Sequence, residues 1–160
     1  MPHLSESEAA AWVGLMATHA EIVRALDNGL GVRFGISVSA LEVLARLTRE
    51  PTGRSRMSVL AHAALLSPSR VSRLVDELEG RGLITRSSCP SDSRGVFAEI
   101  TSQGRQLTQR ALEWHSEEIR ERFFNALDDR QVDELGAIWR DVGALLAKDR
   151  DDNDSAVQHK

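Results

Sequence analysis

The chain contains a single cysteine, Cys89, in 160 residues. A lone thiol closes no intramolecular disulfide and no thiol-based zinc site, and a reducing compartment, the cytoplasm, is the expected setting. The five histidines, His3, His19, His62, His115 and His159, form no i, i+4 pair with one another and no dense set with carboxylates, so no metal is expected. No stretch approaches ~18 uninterrupted apolar residues, and the first residues lack a basic region followed by an apolar run. A soluble, unexported chain without a membrane partner is the expectation. There is no G-x-S-x-G elbow, no phosphate-binding loop and no H-E-x-x-H, so neither an enzyme nor a cofactor is expected. Gly29-Leu30-Gly31 lacks a third glycine and a preceding strand, and reads as a linker turn. There is no internal repeat. What remains, at 41% hydrophobic residues, suits one domain, or one domain with a short appendage.

Lysine is nearly absent: 18 of the 20 basic residues are arginine. Arginine is the cation suited to bidentate contact with phosphate or guanine. An arginine-rich overall composition would account for the ratio, but less well for the clustering. The formal charge of −4 divides into −2 over residues 1–50, +4 over residues 51–110 and −6 over residues 111–160. A basic middle between acidic flanks is the asymmetry of a chain that turns one part to a polyanion.

Six helical patterns emerge from apolar spacing and start signals. Ser5 with Glu8 reads as a capping box ahead of Trp12, Leu15, Met16, Ile22, Val23 and Leu26, with an end near Asn28-Gly29. Ser39 with Glu42 repeats the device, and Pro51 closes that second helix. Met57, Leu60, Ala61, Ala64 and Leu65 mark a short third helix. Ser67-Pro68 then opens a fourth, because serine caps the exposed amides and proline at the first helical position loses no bond. Val71, Leu74, Val75 and Leu78 form its buried stripe, and Gly80-Arg81-Gly82 ends it.

Two short β-leaning runs follow, Leu83-Ile84-Thr85 and Val96-Phe97-Ala98-Glu99-Ile100, separated by turn formers at 87–95. They predict a hairpin with a long, polar tip. Thr101 caps a fifth helix bearing Leu107, Ala111, Trp114, Ile119 and Phe123. Asp128 with Gln131 caps a sixth bearing Val132, Leu135, Ile138, Trp139, Val142, Leu145 and Leu146. Residues 149–160 are too charged to offset the entropy of ordering them, and a disordered tail is expected there.

Two helices joined by a tight turn and followed by a hairpin predict a mainly α fold with a small β-hairpin wing, a winged helix-turn-helix. In that motif the second helix enters the major groove of double-stranded DNA. With the apolar stripe turned inward, its other face presents Ser69, Arg70, Ser72, Arg73 and Asp76 beside the capping Ser67. Arginine pairs with guanine, and serine serves bases or phosphates. The acids Asp76, Glu77 and Glu79 lie in the second half, where the helix leaves the groove. Arg86 and Arg94 flank the hairpin tip and are candidates for the neighbouring minor groove. Asp92 is placed to pair with Arg94 and hold the wing in shape. An ordinary solvated helix face is the competing account of Arg70 and Arg73, and the adjoining hairpin argues against it.

These residues resemble the MarR family of bacterial transcriptional regulators over roughly residues 5–147. The most specific stretch is Leu66 to Ile84, followed by Asp92-Ser93-Arg94 and Ile100-Thr101-Ser102-Gln103-Gly104. It holds the serine-rich recognition helix, the L-E-x-x-G exit, the D-x-R wing and the L-T-x-x-G lead-in to the next helix, in order, with Ile100 in place of the usual leucine. The resemblance implies a homodimer whose terminal helices interlock and whose two winged domains read a pseudo-palindrome. The division is then 1–34 and 102–148 for dimerisation, and 35–101 for DNA binding. The apolar stripes of the outer helices support a dimer independently, since a winged domain alone cannot bury both. A monomer folding both onto its own domain is the alternative.

The resemblance also implies a small, often aromatic or phenolic, effector between the dimer helices and the winged domain, and a repressor that it releases. Trp12, Met16, His19, Trp114 and His115 are the candidate lining residues, since Trp stacks and His bonds a carboxylate or phenol. Core packing is the competing role for the Trp and Met side chains. Two further alternatives stand beside this reading: a winged helix used as a protein-interaction module, and thiol-based sensing through Cys89, which lacks an adjacent basic or resolving partner.

Overall fold

The computed structural model describes residues 3–64, 66–89 and 92–158; for residues 63, 88–89, 92–95 and 149–158 it describes the backbone alone. Helices α1 (Glu6–Phe34), α2 (Val38–Arg49), α3 (Met57–Ala63), α4 (Pro68–Gly80), α5 (Ser102–Arg122) and α6 (Asp129–Gln158) are joined by strands β1 (Arg54–Arg56), β2 (Ile84–Cys89) and β3 (Asp92–Ile100). Leu65, Cys89 as a side chain, and His159 lie outside the described residues.

The start signals act as read at most helices. Ser5 and Glu8 close a reciprocal capping box, the Ser5 N–H donating to Glu8 Oε2 at 2.7 Å. Asp128 and Gln131 do the same at 2.9 and 2.8 Å. Thr101 Oγ1 accepts from the Gly104 N–H at 3.0 Å. The cap of α2 differs: Ser37, not Ser39, accepts from the Ala40 N–H at 3.1 Å. Both serines precede the apolar stripe, and the extended backbone at Ser37 decides between them.

Helix α1 runs past the linker turn read at Gly29-Leu30-Gly31 and ends at Phe34. The reason is a close approach rather than a turn. The indole of Trp114 on α5 occupies the space a Cβ at residue 29 would fill, so Gly29 lets the two helices meet. The helix stops instead at Gly35, whose φ of 66° is the left-handed conformation of a glycine cap.

The sheet has three strands in the order β1-β3-β2, all neighbours antiparallel, so the expected hairpin acquires an edge strand. Arg54 and Arg56 both stack toward Phe97, at 4.0 and 5.4 Å from its centroid, in a register that sets Arg56 opposite Phe97. The hairpin strands also extend into the stretch read as turn formers, with Ser87 opposite Phe97 and Ser88 opposite Val96. Backbone pairing anchored by Ile84 opposite Ile100 continues outward whatever side chains it carries.

The backbone divides into two compact units, Met1–Glu118 and Ile119–Lys160. In the first, Leu30, Ile36, Val43, Leu44, Leu47, Leu60, Val71, Val75, Leu78, Leu83 and Ile84 share one core. This core holds α2, α3, α4 and the sheet together with the C-terminal half of α1. In the second, α6 continues to Gln158, beyond the Lys148 boundary read from composition, over a stretch with no proline or glycine to stop it. No described helix is long and apolar enough to cross a membrane.

Candidate nucleic-acid interface

Helix α4 is built to show one face. Ser67 takes an extended backbone, its Oγ accepts from the Arg70 N–H at 3.3 Å, and Pro68 occupies the first turn. Val71, Val75 and Leu78 are fully buried, and Leu74 packs against the same core. The helix therefore cannot rotate without exposing its stripe, which holds Ser69, Arg70 and Arg73 outward in solvent. Ser69 Oγ lies 3.2 Å from Ser67 Oγ. Two guanidinium groups and two hydroxyls thus stand on the N-terminal half, at the positive end of the helix dipole.

Ser72 and Arg86 depart from the outward placement expected of them. Ser72 is half-buried, and its carbonyl accepts from Arg86 Nη2 at 3.1 Å. Arg86 leans from β2 onto α4: its Nη1 donates to Asp76 Oδ1 and lies 3.3 Å from Glu79 Oε2, while the Arg86 backbone N–H donates to Glu79 Oε1 at 2.9 Å. Arg86 is thus a brace between the wing and the helix rather than a free cation at the wing tip. It also offsets two of the three acids of α4, which would otherwise repel a polyanion. Sequence reasoning missed this because residues 76 and 86 are brought together only by the turn at Gly82. The side chains of Asp92 and Arg94 lie outside the described residues.

A cleft of about 850 Å³ runs between α3, the start of α4 and the wing, with Arg56, His62, Pro68, Ser72, Arg86 and Val96 among its lining residues. Arg56 enters this lining without any local sequence signal. Strand β1 is three residues, Arg-Ser-Arg, and has no apolar alternation to mark it.

The five candidate effector residues do not gather within the chain. Trp114 packs beside Gly29, with Phe34 at 6.1 Å between ring centroids and the Arg33 guanidinium 5.6 Å from its ring. His115 is half-buried, and burial holds its imidazole below the ordinary value of 6.5. Trp12, Met16 and His19 are exposed on the same helix as Gly29 but ten or more residues before it, roughly 15–25 Å along the axis. The resemblance implied one shared cleft for them, but Trp114 meets α1 near Gly29.

Among the described residues no cluster of His, Cys, Asp and Glu is placed to hold a metal ion.

Comparison with known proteins accounts for this arrangement. Residues 34–95 match the MarR family model. The structure is similar to that of Sco3205, a MarR family transcriptional regulator from Streptomyces coelicolor solved in complex with DNA. That likeness has a TM-score of 0.84 and 31% identity, over 89% of this chain and 89% of the other. It is similar to AbsC, a MarR family transcriptional regulator of the same organism, with a TM-score of 0.84 and 28% identity over 92% of this chain and 99% of that one. Among curated proteins it is 26% identical over 91 residues to the HTH-type transcriptional regulator YkoM of Bacillus subtilis (strain 168), covering 57% of this chain. The chain spans 58% of the length of that relative. These relatives are regulators rather than enzymes. The winged fold, the capped and outward-facing α4, and a 31% identical relative matched over nearly its whole length lead to one assignment: the chain belongs to the MarR family of transcriptional regulators.

Proposed function

We propose that the chain is a sequence-specific binder of double-stranded DNA that acts as a homodimeric repressor in the cytoplasm, with α4 as its recognition helix. One observation carries the reading: Ser69, Arg70 and Arg73 face solvent on a helix whose opposite side buries Val71, Val75 and Leu78 completely. The complex of Sco3205 with DNA supports it by likeness. Ser67, Ser69 and Arg70 serve the backbone and Arg73 a guanine edge, with Ser72 beside them. Arg94 serves the minor groove, with Asp92 ordering it. Arg86 serves by bracing. Release by a small aromatic or phenolic effector remains part of the proposal.

The homodimer reading rests on apolar faces that each unit leaves exposed. In the first, α1 presents Trp12, Val13 and Met16; in the second, α6 presents Ile138, Trp139, Val142, Leu145 and Leu146. Exposed apolar area on this scale is covered in a stable soluble protein, and a second copy of the chain is the proposed cover.

Selection of bound sequences from a random DNA pool tests the function directly. The expected product is a two-fold repeated half-site whose affinity falls with salt at a log–log slope of about −0.9 per phosphate contact. Arg73→Ala then relaxes base preference at one position at a cost of ~1–3 kcal/mol, whereas Arg94→Ala weakens all sequences alike. Recovery of no enriched sequence, with no binding to DNA at low salt, would favour a protein-interaction module.

A further inference from the structure

The end of α1 and the end of the recognition helix are joined by one side chain. Arg81, the C-cap residue of α4, sends its guanidinium to α1, where Nη2 donates to the Phe34 carbonyl at 2.8 Å and Nη1 to the Gly35 carbonyl. The carbonyls of Gly31 and Leu30 are already engaged, by the N–H groups of Gly35 and Ile36 at 3.0 and 3.4 Å. Arg81 takes the carbonyls that this glycine cap leaves over, at the negative end of the α1 dipole. Gly35 is fitted to the arrangement twice. Its φ of 66° ends the helix, and a Cβ there would come to 3.2 Å from Arg81 Nη2.

The rest of the C-terminal half of α1 is equally tied down. Leu26 and Leu30 are buried, Asp27 Oδ1 accepts from the Val38 N–H at 2.8 Å, and Gly29 receives Trp114. The N-terminal half carries the exposed apolar face. Helix α1 is therefore a lever whose fixed end grips the recognition helix through Arg81.

We infer that Arg81 is a positioning residue that sets the angle of the recognition helix relative to α1, so that displacement of α1 alters DNA binding. The inference rests on the DNA-binding reading above. The geometry makes small angles matter: Arg70 and Arg73 lie roughly 15 and 10 Å from the C-terminal end of α4, so a tilt of about 10° there carries them ~2–3 Å. That distance exceeds the tolerance of a hydrogen bond.

The test uses the full chain and the sequence enriched from the random pool. Arg81→Met keeps the aliphatic stem and removes the donors; Arg81→Lys keeps the charge and loses the fork. The expected result is a roughly tenfold loss of affinity for Arg81→Met with an unchanged salt slope, and partial recovery in Arg81→Lys. Without DNA, hydrogen exchange in Arg81→Met speeds up together at the end of α1 and around residues 80–83.

A slope shallower by about 0.9 would make Arg81 a phosphate contact and overturn the inference. Unchanged affinity in a folded Arg81→Met, or unchanged exchange at both helix ends, overturns it as well. Failure of the wild-type chain to bind any DNA sinks the DNA-binding reading instead, and the exchange measurement still decides whether the link exists.

Discussion

Helices α4 and α6 both carry apolar stripes, and the fold treats them oppositely. On α4, Val71, Val75 and Leu78 are 0% exposed, whereas on α6 Trp139 is 45% and Leu145 is 62% exposed. The first stripe is buried within the chain, in the core it shares with α2, α3 and the sheet. The second is exposed along much of its length, from Ile138 to Leu146. Regular spacing establishes that a face is apolar; it does not establish whose atoms cover it.

Breaking the satisfied stripe has the largest effect. Leu78→Ala leaves a void in a core that Leu83 and Ile84 also line, and is expected to cost ~2–5 kcal/mol in thermal or denaturant unfolding. A cost below ~1 kcal/mol would show that the core is loose. The uncovered stripe responds differently. The pair Trp139→Glu and Leu145→Glu removes apolar area that is exposed in the protomer, so it is expected to halve the mass seen in sedimentation at micromolar concentration, while helical circular dichroism persists. An unchanged mass would exclude this face from the dimer.

The smallest expected effect sharpens the contrast at half-buried His115. Its folded pKa is lowered by burial, so the neutral form is favoured in the fold. Stability from this group is present above the unfolded value near 6.5 and is lost as pH falls through the folded value. His115→Gln is expected to flatten the acid side of the stability profile by less than about 1 kcal/mol, read from melting temperatures over pH 5 to 7.5. A wild-type profile without that decline would place His115 in solvent.

Much of the fold was legible residue by residue. The capping boxes at Ser5 and Asp128, the Ser67-Pro68 start and the α4 stripe are local signals, settled within one or two turns of chain. Apart from the α2 cap, taken at Ser39 and found at Ser37, and the end of α6, the misreadings are non-local. Gly29 looked like a turn because glycine ends helices, yet it serves Trp114, 85 positions further along the chain. Strand β1 was invisible because three residues carry no periodicity, and its pairing with β3 supplies what its sequence lacks. Arg86 looked like a wing cation until the turn at Gly82 brought Asp76 and Glu79 to it.

The sequence by itself determined the order of the helices, most of their starts, the face α4 turns to solvent and the segregation of positive charge into the middle of the chain. Each depends on groups a few residues apart, whose geometry the backbone dictates. Only the tertiary structure decided which arginines are braces and which stay outward, that Trp114 meets α1 at Gly29, far along the helix from Trp12, and that Arg81 ties two helix ends together. Those outcomes depend on where distant backbone carbonyls and carboxylates come to rest, and a carbonyl at Phe34 leaves no mark in the sequence around Arg81.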